Sequence, residues 1–188
     1  MEPGSPLTEE QLSSLLNISR TPIRSALQQL VFEKLATADS TGHIYVSKIS
    51  EKDVADITIM RQTLEPLAID LATFPISPDI IERLTQITEQ QSCLAMQDTI
   101  HNIQYAELDC EFHSLLSSVS GNELLMETVK KINGLMIRIL ILSGTLGTNK
   151  NKASEEHRQI IRFLSEGQKE FAKVALSEHI RNVGNRML

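Results

Sequence analysis

The sequence predicts a mainly α-helical protein in two parts: a helix–turn–helix with a β-hairpin at residues 1–49, then an antiparallel six-helix bundle at residues 50–188. Three observations lead there. Apolar residues recur at helical spacing over nearly all of the chain after residue 50. The one β-like stretch, TADSTGHIYVSKIS, joins turn residues to an apolar alternation. Hydrophobic residues make up 41% of the chain, enough for a real core. No uncharged apolar run approaches the roughly 18 residues a membrane helix needs.

The first helix starts at Thr8-Glu9-Glu10-Gln11, which fits a capping box, and continues through Leu12, Leu15 and Leu16 at helical spacing. Asn17 suits the left-handed residue that ends a helix. A second helix opens with Ser19 or Thr21 as its cap and tolerates Pro22 in its first turn. Ile23, Ala26, Leu27 and Leu30 form its predicted inner face, while Arg20 and Arg24 share another. Asp39-Ser40-Thr41-Gly42 is turn chemistry, and Ile44 and Val46 alternate after it. Six further helices fall near 51–73, 78–94, 97–118, 121–144, 152–166 and 168–186, with SGTLGTNKN as the most loop-like segment of the C-terminal part.

Net charge is −6, which excludes indiscriminate nucleic-acid binding through bulk charge. Residues 1–50 hold four Lys/Arg against five Asp/Glu, so any DNA contact rests on the placement of a few cations. The N-terminus lacks a basic region followed by an apolar stretch, so no secretory signal is visible. Cys93 and Cys110 have neither metal nor redox spacing and read as buried free thiols in a reducing cytoplasm.

Helix, tight turn, helix and hairpin is the order of a winged helix-turn-helix. A second helix lying in the major groove presents its N-terminal residues to base edges. Arg20 and Arg24 there can bond guanine or phosphate, Thr21 can add a contact, and Gly42-His43 at the wing tip can reach the flanking backbone. The bland alternative is a helical hairpin with solvated arginines. The string PLTEEQLSSLLNISRTPIRSALQQLVFEKL resembles the DNA-binding region of the GntR family of bacterial transcription regulators, and SRTPIR is close to its most recognisable motif. The resemblance implies that Arg20, Thr21 and Arg24 touch DNA and that Gly42 shapes the wing tip. The family carries Arg at the position of Glu10 and Glu at that of Ser25. It also has one more helix before the matching segment, so the wing domain is expected to lack its first helix and to leave Leu27 and Leu30 partly uncovered.

Three of the five histidines fall on predicted apolar helix faces: His113, His157 and His179. Asp109 lies one turn before His113, so the two point the same way off their helix. A lone inward histidine is commonly a hydrogen-bonded core residue. Three with a carboxylate in an apolar bundle can instead share one cation, and Asp109, His113, His157 and His179 suit zinc, nickel or manganese. A metal-dependent hydrolase would offer the same ligands, but no carboxylate is spaced to act as its base. A sensor domain that has lost DNA binding is a further alternative.

A six-helix bundle with this Asp-x3-His, a later Glu-His and a final His is similar to the FCD ligand-binding domain of one GntR branch, in its VanR-like six-helix form. The four residues match the family's metal set. The resemblance implies a small carboxylate effector beside the metal, with Arg61 facing the cavity; the plain alternative for Arg61 is a surface salt bridge with Glu65. Glu156 and Glu178 sit about 100° around their helices from the neighbouring histidines, so they are expected to steer helix ends or support the ligands from outside. The helix at 121–144 is apolar nearly all round, so it is expected to be buried on more than one side; the plain reading is a central core helix, and the sharper one, which the resemblance supports, adds a dimer face. The whole reads as a cytoplasmic homodimeric regulator on a palindromic double-stranded operator, with no membrane contact and no catalytic residue.

Overall fold

The computed structural model describes residues 1–96, 102–142 and 146–187, and the side chains of all these but 146–150. The chain divides into two compact units, Met1–Ser50 and Glu51–Leu188.

In the first unit, α1 (Glu9–Leu16) is capped by Thr8, whose hydroxyl accepts from the Gln11 amide, and ends at Asn17 in the left-handed region with φ 53°. Helix α2 (Arg20–Phe32) starts after Ser19. Strands β1 (Ala36–Ala38) and β2 (Ile44–Val46) pair antiparallel with Thr37 opposite Tyr45. Leu7, Ile23, Leu27 and Ala36 make the core, and Leu12, Leu30, Val31, Ile44 and Val46 pack on it. The segment Gly4–Leu7 runs along the free edge of β2. There Gly4 N–H donates to the Val46 carbonyl at 2.8 Å, Val46 N–H to Ser5 at 2.9 Å, and Leu7 N–H to Ile44 at 2.8 Å. This edge seats Leu7 in the core, and Leu27 is consequently only 3% exposed, against the expectation that it would lie open. The exposed apolar area lies elsewhere, on Leu15, Leu16 and Phe32. Ala26 is likewise outside the expected inner face, because the buried stripe of α2 narrows to Ile23 and Leu27.

The second unit holds α3 (Glu51–Leu71), α4 (Pro78–Ala95), α5 (Asn102–Ser118), α6 (Glu123–Leu142), α7 (Leu146–Ser165) and α8 (Lys169–Asn185). Helix α3 packs on α8, α6 and α5; α4 packs on α7 and α5; α5 packs on α6 and α7 on α8. The core runs through Ile69, Leu84, Ile87, Phe112, Leu116, Ile160, Leu164, Leu176 and Ile180, all fully buried. The predicted start of α5 near residue 97 lies outside the described residues. Residues 146–151, expected to be loop, belong to α7. Once the amphipathic face beyond is docked, each added residue costs little, and Gly147 alone does not stop the helix. Helix α6 buries Leu125, Val129, Asn133, Met136, Ile139 and Leu140, while Leu124 is 74% exposed. Cys93 is exposed and Cys110 half-buried, which corrects the reading of both as buried thiols; both are free. No helix among the described residues is long and apolar enough to cross a membrane.

Helices α3 and α8 lie close together at Gly184, where an added Cβ would lie 2.6 Å from Thr58 Oγ1. That hydroxyl is held by the Val54 carbonyl at 2.7 Å, so it cannot simply swing away. Gly184→Ala is expected to lower thermal stability, because overpacking of about 1–3 kcal/mol exceeds the gain in helix propensity of about 1 kcal/mol. Thr58→Ala in the same chain should restore most of the loss in a denaturation series. In the hairpin, Asp39 accepts from Thr41 Oγ1 at 2.7 Å, from the amides of Thr41 and His43, each at 2.9 Å, and from Tyr45 Oη at 3.3 Å. These bonds, the Thr41 hydroxyl foremost, hold its pKa at about 2 against an ordinary 3.8. A depressed carboxyl stabilises the fold fully above its unfolded pKa and loses that contribution as pH falls through the folded value. Amide exchange at Thr41 and His43 should therefore stay slow down to about pH 4 and quicken toward pH 2, and Asp39→Ala should abolish the protection.

Candidate metal centre and nucleic-acid interface

In the first unit, Arg20, Thr21 and Arg24 are exposed on the opening turns of α2. Arg24 is not solitary. Its Nε and Nη2 donate to the two carboxylate oxygens of Glu9 at 2.6 and 2.9 Å, and Arg20 Nη2 lies 3.8 Å from Glu10. Glu9 lies 15 positions from Arg24, so its sequence position does not single it out. The Arg24 hydrogen bond holds the Glu9 carboxyl below its usual range and raises Arg24 in turn. A two-point pair of this kind fixes the plane of the guanidinium while leaving Nη1 outward. At the other end of the unit, Gly42 takes φ 85°, which closes the turn, and the 73%-exposed His43 places Nδ1 2.7 Å from Thr41 Oγ1.

In the second unit, Asp109 and His113 come from α5, His157 from α7 and His179 from α8. All four are buried, and one ligand atom from each lies within 4.8 Å of the others. The surroundings fix which ring nitrogen faces inward. His113 Nδ1 lies 2.5 Å from Glu65 Oε2, and His179 Nδ1 lies 2.7 Å from Glu156 Oε2. Gln91 donates from Nε2 to Asp109 Oδ1 at 3.1 Å, which turns its Oε1 toward His157 Nδ1 at 3.0 Å. Each of these partners accepts, so each Nδ1 donates and each Nε2 keeps its lone pair. Yet His179 Nε2 lies 3.2 Å from both His113 Nε2 and His157 Nε2, and Asp109 oxygens lie 3.7 and 3.9 Å from two of them.

Three imidazole lone pairs and a carboxylate thus point at one small volume, an arrangement that repels itself unless a cation sits within. Metal–nitrogen bonds of about 2.0–2.1 Å put neighbouring ligands roughly 3.0–3.4 Å apart, and the observed nitrogen separations of 3.2 Å fit. At His157 and His179 burial opposes a proton in the cation's place. Burial, then the neighbouring imidazoles, push His157 well below its ordinary pKa, and burial lowers His179 despite Glu156. Phe112 stacks on the His157 ring with centroids 3.8 Å apart and holds its plane.

Arg61 is 1% exposed, so its pair with Glu65, Nε to Oε1 at 2.7 Å, is a buried bridge and not the surface one of the plain alternative. Burial raises the Glu65 carboxyl, but Arg61 and His113 outweigh it and keep it ionised. Neither Nη1 nor Nη2 of Arg61 has a hydrogen-bond partner among the described residues. Of the two glutamates that precede histidines, Glu156 carries His179 and is itself held by Asn182 and Arg186, whereas Glu178 is 58% exposed beside Arg181. Gln91, Asn182 and Arg186 carried no signal in the sequence, and neither did the link from Glu65 to His113, since these partners lie on other helices.

Glu65→Ala leaves a buried guanidinium unpaired and is expected to destabilise the protein by roughly 3–5 kcal/mol in urea titration. Arg61→Met with Glu65→Ala should be milder than Glu65→Ala alone.

Two family comparisons cover the chain. The bacterial regulatory proteins of the gntR family match residues 1–46 and the FCD domain matches residues 56–182. The HTH-type transcriptional regulator YdhC of Bacillus subtilis is 29% identical over 184 residues, spanning 96% of this chain and 80% of that protein. The HTH-type transcriptional repressor RspR of Escherichia coli is 25% identical over 181 residues, spanning 96% of this chain and 78% of its own. Among solved structures, E. coli McbR/YncC shares the fold with a TM-score of 0.81 at 20% identity, over 97% of this chain and 86% of that one. The chain therefore belongs to the GntR family of bacterial regulatory proteins: it is a DNA-binding transcriptional regulator, not an enzyme, and its second unit is an FCD domain.

Proposed function

We propose that the helical unit is a metal-dependent sensor for a small organic acid and that acid binding alters operator affinity. Asp109, His113, His157 and His179 hold a divalent transition metal, with zinc the best fit to nitrogen-rich ligands and nickel or manganese the alternatives. The metal supplies a positive centre with positions left for an anion. Arg61 supplies the second cation. Its two unpartnered terminal nitrogens are the observation that carries the reading, because a buried guanidinium with idle donors matches a carboxylate in charge and in two-point geometry.

On the DNA side, Arg20, Thr21 and Arg24 read or grip the major groove, and Gly42 and His43 at the wing tip contact the flanking backbone. Two copies in a cytoplasmic homodimer match a palindromic operator. The half-exposed Ile132 and Leu135 on α6 give that helix an apolar face for its twin. The effector acts by shifting the populations of arrangements that the dimer adopts.

Native mass spectrometry with elemental analysis tests the sensor directly. One transition-metal ion per chain is expected, and His157→Ala or His179→Ala should lose it. Carboxylic acids titrated into the metal-loaded chain should bind, and Arg61→Met should abolish the binding while retaining the metal. Absence of metal from the purified chain, and failure to take up zinc in dialysis, would sink the reading. For the DNA side, Arg20→Ala and Arg24→Ala are each expected to weaken operator binding roughly 5- to 150-fold, for about 1–3 kcal/mol per contact. A gel-shift series across salt concentrations should show a shallower slope for any arginine that neutralises phosphate.

A further inference from the structure

Asn133, on α6, is 1% exposed, and neither its Oδ1 nor its Nδ2 has a hydrogen-bond partner among the described residues. A buried carboxamide with both ends idle carries a desolvation penalty that an apolar residue would avoid. Its position says what it is near. Helices α3 and α6 meet where Leu64 and Ala68 pack with Leu125 and Val129. Arg61 lies one turn before Leu64, and Asn133 one turn after Val129. The pair is antiparallel, since Asp53 at the start of α3 acts electrostatically on Arg138 near the end of α6 while Ala68 meets Leu125, so those two steps run in the same direction and both residues extend the same seam to the same level. The idle donors of Arg61 and the idle amide of Asn133 thus belong to one region of the bundle.

We infer that Asn133 is a specificity-determining residue of the effector cavity and selects acids that carry a hydroxyl group beside the carboxylate. The inference rests on the sensor reading above. Arg61 offers only donors, so it takes the carboxylate. Asn133 offers a donor pair and an acceptor. A second carboxylate accepts only and would leave Oδ1 idle, whereas a hydroxyl both accepts from Nδ2 and donates to Oδ1. The preference is large in principle, because an analogue without the hydroxyl leaves a buried polar group unpaired again.

Matched acid pairs test this on the zinc-loaded full chain by calorimetric titration: lactate against propionate, and malate against succinate. The wild type should bind the hydroxylated member of at least one pair ten times tighter or more. Asn133→Leu should bind both members like the unhydroxylated acid, with the difference shrunk to under twofold. Its unliganded melting temperature should not fall, since two idle polar atoms leave the core. Asn133→Ala serves as the second variant should leucine crowd the seam. Equal affinities within both pairs in the wild type overturn the inference while leaving the acid sensor intact. So does a preference that persists in both variants, which assigns the hydroxyl to the metal. Failure of all four acids to bind the wild type overturns the sensor reading and this one with it.

Discussion

Three imidazoles and one carboxylate, buried where their lone pairs meet, are the constraint on which the second unit turns. Each ring is locked by an acceptor behind it: Glu65 behind His113, Gln91 behind His157, Glu156 behind His179. Every outward N–H is thereby spent, and every inward nitrogen is a bare acceptor. Such a set is costly as a core and sensible as a ligand cage. The supporting residues arrive from α3, α4 and α7, so the cage draws on most of the bundle and ties its helices to one centre.

Charge is arranged in linked steps around that centre. Glu65 joins His113 to Arg61, and Gln91 joins His157 to Asp109. The ionised Glu65 offsets the buried guanidinium through Nε alone, which leaves the terminal nitrogens available. A cation that is charge-balanced yet short of hydrogen bonds is suited to an anion that comes and goes, because neither state strands a bare charge. Asn133 extends the same pattern with a neutral group.

The winged unit manages its few cations differently. Surface charge is weak in water, so the pairing of Arg24 with Glu9 contributes little to stability. Its consequence is geometric, for a guanidinium gripped at two points has fewer orientations to lose when it meets a base. The acidic first turn of α1 thus sits against the arginines of α2 as their partner. Leu7 closes the core from an extended segment rather than a helix, which is why Leu27 is covered and Leu15, Leu16 and Phe32 are not.

Much of this was legible in one dimension. Helical period fixes which residues share a face, so the inward set Asp109, His113, His157 and His179 could be read from spacing, as could the cap at Thr8, the left-handed Asn17 and the turn at Gly42. These depend on neighbours within about a turn. Loop chemistry misled at residues 146–151, where docking of the face beyond extends α7 through glycine. What only the tertiary structure decided is every relation between helices: that Glu65 stands 48 positions from the histidine it holds, that Gln91 bridges α5 and α7, and that Arg61 is buried rather than solvated. Period gives a side chain its direction but not what stands opposite, because the partner is set by how six helices pack and not by any local spacing.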